Sequence, residues 1–486
     1  MKKYNTTGLT FDSILLAITK VITLLLGILT TKFMSKYMSL SDYGLYSQSL
    51  VVVEATTALI TFGMTDAVNY FFNSIKEKEN KVSYINTMFF LEIIIGIAGA
   101  VIICSLSKPI CNYFGEPHLF ILLFIVCLQP LFDNLVAMLQ VLYVSNKKGK
   151  YISIRSLVVS LIRLGIVIIG CTIFRNLYFV VIGFTITAFL QVFLFWIWYK
   201  KIDFIINPLK FDKKVILPVL KFGVPLGLYI LVNSLLRTSD KIVLGYFAST
   251  EEMAIYSNAA KILPFDIVAA SFITICAPFI TKYVKNQQKT ELNSLLKNYV
   301  SVSFISTIGL ASVALLFSKD ILLILYDDKY LPGLDVFRIY IIIEMCKFCS
   351  FYIVIMSFNR NRELLIMSLI ALALNVCLDI ILYHLFGSIG CAIGTLIITL
   401  AISIYMVLRT CKLTEIKLKN LIDFNFLLWS SLVIFCSLTF VYGLSKIELF
   451  ETANSFVKII ILIVIYGLIC LFAFYKKVKL IFKGMR

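Results

Sequence analysis

Apolar runs of about twenty residues, each closed by a short polar or basic stretch, recur along the whole chain. A helix needs about 20 apolar residues to cross the hydrocarbon core of a bilayer. The pattern predicts fourteen such helices, at residues 12–34, 43–65, 84–106, 118–143, 152–174, 177–199, 222–247, 255–280, 297–318, 335–357, 364–385, 388–411, 425–445 and 455–475. The connections are short, and none has the length of a folded extramembrane domain. The first run follows Lys2 and Lys3, contains Lys20 and lacks a small-x-small cleavage site, so it reads as a retained span and not as a cleaved signal.

Composition agrees with the pattern. Hydrophobic residues make up 60% of 486 positions, charged residues 15%, and the mean hydropathy is +0.95. Soluble domains carry about a quarter charged residues; a chain this poor in charge takes lipid as its solvent. The net charge of +18 lies in short clusters between the apolar runs, which is the positive-inside pattern and not a nucleic-acid face. With the N-terminus in the cytoplasm, 30 of the 45 lysines and arginines fall in cytoplasmic segments, nine in outward segments and six within spans. Both termini are therefore expected on the cytoplasmic side.

Twelve cysteines with only two histidines, His118 and His384, give no metal-ligand spacing. The lone C-x-x-C, Cys346 to Cys349, lies in an expected span, where cysteines act as small apolar packers. There is no P-loop and no catalytic constellation. The chain is expected to be neither an enzyme nor a metalloprotein, and to need no organic cofactor.

An internal repeat runs through the spans. SLSDYGLYS at 39–47 matches STEEMAIYS at 249–257, SKPI at 107–110 matches SKDI at 318–321, and SNKKGK at 145–150 stands opposite FNRNRE at 358–363. The offsets are 210 to 213 residues, so the repeat unit is six spans. Six is even, hence both halves share one orientation, about an axis along the membrane normal. The expected fold is an all-α polytopic membrane protein with two parallel six-helix lobes around a central cavity, plus two C-terminal helices. Residues 1–200 form the N-lobe, 201–221 a cytoplasmic linker, 222–411 the C-lobe, and 412–486 the last two spans with a basic tail. Such halves suit alternating-access transport.

Charges inside the spans are the candidate chemistry. R-T-S-D-K at 237–241 places Arg237, Asp240 and Lys241 on one face of the seventh helix. A charge at mid-membrane costs about 2.5–3.5 kcal/mol, against roughly −0.3 to −0.6 for each large aliphatic or Phe neighbour. Three charges outweigh their apolar neighbours, so this face must meet a partner or water. Further spans contribute Lys20, Glu54, Glu92, Asp133, Arg163, Lys261, Asp266, Glu344, Lys347 and Asp379. By helical rise, Lys241, Lys261 and Asp379 lie roughly 9 Å below the outer boundary, and Arg237, Glu54 and Glu344 about 14–16 Å deep. Plainer readings compete. Arg237 with Asp240 can be an internal ion pair, Lys241 and Lys261 can snorkel to headgroups, and Glu344 can neutralise Lys347. Lys20 and Arg163 have no opposite charge three or four residues away in their own helices. Arg163 is the leading candidate anchor.

SLSDYGLYSQS after span 1, TFGMTDAVNYFF at the end of span 2 and SDKIVLGYFASTEEMAIYSNAAKI at 239–262 carry a resemblance. They resemble polysaccharide transporters, or oligosaccharide flippases, of the multidrug/oligosaccharidyl-lipid/polysaccharide (MOP) exporter superfamily. Asp240, Gly245, Tyr256 and Lys261 fit the family pattern. The usual Gly two residues before the tyrosine is Ala254 here, while Gly44 keeps it in the first half. The resemblance implies a flippase for undecaprenyl-pyrophosphate-linked oligosaccharide units, serving O-antigen, capsule or teichoic-type polymers in the bacterial cytoplasmic membrane. It implies Lys20, Arg163, Arg237, Lys241 and Lys261 as holders of the pyrophosphate headgroup. Asp240, Glu54, Glu344 or Asp379 would take a coupling H⁺ or Na⁺. By analogy with the lipid II flippase, a cousin whose extra pair of spans forms a lipid-tail groove, the resemblance implies that the last two spans, 425–445 and 455–475, would do likewise. Partners would be membrane lipids, a polysaccharide polymerase and export proteins, with no nucleic acid. A lipid II-type or cationic-drug exporter of the same superfamily is the first alternative, and a polytopic polysaccharide polymerase the second.

Overall fold

The computed structural model describes residues 6–198, 206–261, 265, 267–447 and 455–483; they are helical throughout, with no strand among them. The first helices are α1 (Thr6–Tyr37), α2 (Leu40–Thr61), α3 (Met64–Ser74), α4 (Lys78–Ser105), α5 (Ser107–Phe114), α6 (Leu119–Val126), α7 (Gln129–Ser145), α8 (Gly149–Ile168) and α9 (Leu177–Ile197). Next come α10 (Lys213–Phe247), α11 (Thr250–Ala259), α12 (Ile267–Lys285), α13 (Lys289–Ser303), α14 (Gly309–Leu316), α15 (Ser318–Leu325), α16 (Leu334–Cys346) and α17 (Tyr352–Ser357). The chain closes with α18 (Asn361–Phe386), α19 (Ser388–Thr414), α20 (Leu418–Leu421), α21 (Phe424–Ser445) and α22 (Ser455–Lys483).

Thirteen stretches among the described residues are long and apolar enough to cross a membrane. The chain is a multi-pass membrane protein. The remaining expected span, the eighth at 255–280, coincides with α11 and α12, which stop at Ala259 and resume at Ile267. Asp266 lies outside the described residues.

Several spans are interrupted, for local reasons. In the second, Phe62 and Gly63 take left-handed φ angles of 42° and 68°, ending α2 before α3 begins. In the fourth, Pro130 opens α7 after a turn at Cys127–Leu128; proline lacks the N–H that a continuous helix needs. In the tenth, a 3₁₀ turn at Lys347–Cys349 and an extended Ser350 separate α16 from α17. A short π-helical turn at Ile169–Phe174 closes the fifth span, and another at Phe304–Ile308 interrupts the ninth.

Two compact units result, Met1–Ile255 and Tyr256–Arg486. In the first, α1 lies along α8, and α10 packs on α2, α3 and α4. The α10 contact is made by Gly223 and Gly227, a small-xxx-small pair of the kind that lets membrane helices approach closely. A Cβ on Gly227 would stand 2.7 Å from the Phe62 backbone, and one on Gly63 2.5 Å from the Gly223 carbonyl oxygen. The break in the second span is thus the seat of α10. The two copies of the repeated motif also meet in this unit, where a Cβ on Gly44 would collide with the Thr250 carbonyl. That clash explains glycine in the first copy. Ala254, its counterpart, is fully buried and keeps its methyl.

In the second unit α18 packs on α19, and α19 on α16. The last pair, α21 and α22, pack on each other. They join the unit through a cluster of Val313, Phe317, Val441, Leu462 and Tyr466. The Tyr466 hydroxyl donates to the Gly309 carbonyl at 2.9 Å, just after the π-turn.

Candidate functional site

Arg163 sits in the last third of α8, near the middle of the span Gly149–Phe174, and is half-buried. Its Nε donates to Thr187 Oγ1 of α9 at 3.1 Å, and its guanidinium carbon lies 5.5 Å from the centre of the Phe184 ring. A cation over an aromatic face is held by the ring quadrupole. Tyr46 of α2 packs against the same ring at 6.1 Å between centroids. Asp133 of α7 and Tyr46 are near enough to interact with the Arg163 charge, and Glu54 also acts on Tyr46. Among the described residues Arg163 makes no ion pair, and its two terminal nitrogens have no hydrogen-bond partner. Four helices therefore converge on a cation of which the protein engages only one edge.

Arg155 stands two turns earlier on α8 and is buried, with 8% exposure. Its terminal nitrogens donate to Gln191 Oε1 at 3.2 Å, Gln140 Oε1 at 3.3 Å and Ser156 Oγ at 3.0 Å. The guanidinium also lies 5.0 Å from the Phe195 ring centre. Its Nε, the neighbouring Ser153 hydroxyl and both polar atoms of Gln48 are buried without a partner among the described residues. Each such group costs roughly 1–3 kcal/mol if it stays dry, which favours polar contents beside these side chains.

Other charged residues of the first unit divide by exposure. Lys20 on α1, Glu54 on α2 and Arg237 on α10 are exposed, Lys241 is half-buried, and Asp240 is buried at 1% exposure. Arg237 and Asp240 are not joined as an i,i+3 ion pair among the described residues. Exposed charges within a span face water, because facing lipid costs several kcal/mol each. Glu92 is fully buried beside Asn134. Asn134 in turn ties α7 to α2, accepting from Thr61 Oγ1 at 3.1 Å and donating to the Thr57 carbonyl at 3.4 Å. Glu92 belongs to that packing seam.

In the second unit Glu344 and Lys347 form an i,i+3 ion pair beside the break in the tenth span. Lys261 is exposed and lies 5.6 Å from the Tyr326 ring centre. Asp379 on α18 is fully buried and accepts from Asn375 Nδ2 at 3.1 Å. Its carboxylate presses on the helix α19 at Gly394, where a Cβ would lie 2.6 Å from Oδ1.

The profile of a family described as "Polysaccharide biosynthesis protein" matches residues 33–335, more than half of the chain. The chain belongs to this family. Among solved structures this polysaccharide biosynthesis protein is similar to the lipid II flippase MurJ in an inward closed conformation. The identity is 18% and the TM-score 0.74, over 96% of this chain and 100% of that one. It is also similar to an inward-facing multidrug resistance MATE family transporter of the MOP superfamily, at 13% identity and TM-score 0.68, over 84% and 99%. A MOP superfamily transporter from Pyrococcus furiosus, described as having a binding pocket of reverse polarity, aligns at 14% identity and TM-score 0.61, over 84% and 95%. The fold is thus that of the MOP superfamily, as the motifs implied. No curated protein sequence matches the chain.

One residue of this family member's site escaped the sequence reading. Arg155 falls near the start of the fifth span and counts there among the cytoplasmic arginines. The signal that could have found it is its spacing of eight residues from Arg163 on one helix, together with Gln140 and Gln191 inside neighbouring apolar runs. Polar amides in such runs are expensive unless they serve a partner.

Proposed function

We propose that this protein is a flippase that carries polyprenyl-pyrophosphate-linked oligosaccharide across the bacterial cytoplasmic membrane by alternating access, with both termini in the cytoplasm. The observation that carries this reading is Arg163. An arginine inside a span, with Nε held by Thr187 and both terminal nitrogens unengaged by protein, is prepared to bind an anion with two parallel hydrogen bonds. Pyrophosphate is the anion of a lipid-linked sugar, and membership of a polysaccharide-biosynthesis family supports that class of cargo. Lys20 and Arg237, exposed on spanning helices of the same unit, add positive charge along its path, and Lys241 extends it; Lys261, in the second unit, is a candidate from the family resemblance alone. The sugar would travel among the polar groups while the polyprenyl tail stays in lipid. Nothing in this process makes or breaks a covalent bond, so the protein acts as a transporter and not as an enzyme.

For coupling to H⁺ or Na⁺, Asp379 is the strongest of the four acidic candidates. It is fully buried, oriented by Asn375 and backed by Gly394, so a bound cation would change the packing between α18 and α19. Glu344 is already neutralised by Lys347, and Glu54 is exposed. The Asp379→Asn variant is expected to remain inserted and to lose dependence on an imposed ion gradient, measured as transport in proteoliposomes with and without that gradient. Unchanged gradient dependence would remove Asp379 from the account.

A deletion strain tests the cargo. It is expected to accumulate lipid-linked oligosaccharide on the cytoplasmic side and to lose surface polymer, with unchanged sensitivity to cationic dyes. Normal surface polymer combined with dye sensitivity would favour a drug exporter.

A further inference from the structure

A groove of about 510 Å³ runs along α18 and α19 within the second unit. Ile366, Ile370 and Leu374 form a stripe at four-residue spacing on α18, facing Ile398 and Ile402 of α19. The stripe is open in the whole chain, with exposures of 46%, 55% and 52%. The repeat makes this notable. In the first unit, α8 is the fifth span and α1 lies along it. Its counterpart α18, the eleventh span, has no helix of the second unit in that place among the described residues, since α10, the counterpart of α1, packs within the first unit.

One end of the groove is charged. Arg360 and Arg362, from the FNRNRE segment, stand exposed at its mouth. Glu363 is engaged by Arg409, whose Nη2 donates to Oε2 at 2.7 Å, and by the Tyr405 hydroxyl at 2.6 Å. Arg409 thus cancels the only carboxylate of the rim, and Arg360 and Arg362, which form no ion pair among the described residues, leave it cationic. From Arg360 to Leu374 the wall spans about 21 Å at 1.5 Å per residue, more than half of a hydrocarbon core about 30 Å thick. A basic mouth at the interface and an apolar wall of one leaflet's depth describe the shape and charge of one amphiphile.

We propose that this groove is a binding site for an anionic glycerophospholipid of the leaflet on the Arg360 side, its phosphate held by Arg360 and Arg362 and an acyl chain lying between α18 and α19. Basic pockets between membrane helices on the cytoplasmic side are where anionic headgroups bind. A lipid-linked sugar fits less well: the rim offers its hydroxyls only Asn359 and Tyr405 besides charged groups, and Tyr405 is already bonded to Glu363. The half-exposed walls let a lipid enter laterally from the bilayer. The site is built only from residues of the second unit and does not depend on what the protein transports.

Native mass spectrometry of the purified full-length protein, mixed with equal amounts of phosphatidylglycerol and phosphatidylcholine, tests the proposal. The wild type is expected to retain phosphatidylglycerol in preference to phosphatidylcholine, and the Arg360→Gln/Arg362→Gln variant to lose about tenfold of that preference. Ile370→Trp, which fills the groove, should reduce retention of both lipids without lowering the melting temperature. Equal retention of the two lipids by the wild type would overturn the proposal. So would undiminished phosphatidylglycerol retention by both variants. Undecaprenyl pyrophosphate displacing phosphatidylglycerol at equal concentration would assign the groove to a polyprenyl carrier and overturn it as well.

Discussion

Replacing Arg163 with alanine is expected to remove at least nine-tenths of exported surface polymer while leaving the protein inserted and monodisperse. The size of the effect follows from the geometry. Thr187 and the Phe184 ring hold one edge of the guanidinium, and the other edge has two nitrogens available to a phosphate. Hydrogen bonds between charged groups contribute about 1.5–3 kcal/mol each, so losing two costs about 3 kcal/mol or more, over 100-fold in affinity. Alanine breaks no direct carboxylate contact, because Arg163 makes no ion pair among the described residues and Asp133 feels its charge only at a distance. The loss should therefore appear in transport and not in stability. Arg163→Lys keeps the charge but not the planar fork, and should restore only part of the activity. Polymer is measured on the cell surface in a deletion strain carrying each variant, with membrane level as control. Normal polymer from Arg163→Ala would end the claim that this residue grips the cargo.

The second large effect concerns folding. Gly227→Leu is expected to destabilise the first unit by about 3 kcal/mol or more, since overpacking of this kind meets backbone and not the end of a flexible side chain. The first added carbon would already lie 2.7 Å from Phe62, at the left-handed break between α2 and α3. Neither side can retreat without unseating α10. The same change at Gly443 on α21 meets nothing within 4 Å and should be tolerated. Thermal unfolding in detergent, followed by size-exclusion chromatography, separates the two variants. Equal melting temperatures would mean that the glycine seat contributes nothing to the packing of α10.

Much of the fold is legible in the sequence because lipid imposes one simple demand, runs of about twenty apolar residues. Length and apolarity placed thirteen of the expected spans on helices that meet the same criterion. What the pattern cannot register are breaks inside an apolar run. Cys346 to Phe351 carries Lys347 and Ser350 but is still apolar enough to read as part of one span, yet it contains a 3₁₀ turn and an extended residue. The break at Phe62–Gly63 exists because α10 packs there, a contact between segments 160 residues apart in the sequence. Partnering is hidden for the same reason. The local spacing of Arg237 and Asp240 permits an ion pair that the structure does not make, whereas the equal spacing of Glu344 and Lys347 gives one that it does. Arg163 stood out in the sequence because no opposite charge accompanied it. Arg155 did not, since its amide partners come from other helices.

The most direct test of the central claim is translocation itself. The purified protein is reconstituted into liposomes with a fluorescent undecaprenyl-pyrophosphate-linked oligosaccharide, and the lipid reaching the opposite leaflet is counted by its susceptibility to an added membrane-impermeant hydrolase. Wild-type vesicles should expose the internal pool much faster than empty vesicles, and Arg163→Ala vesicles should match the empty ones. Wild-type exposure no faster than that of empty vesicles, from protein that is folded and inserted, would contradict the account.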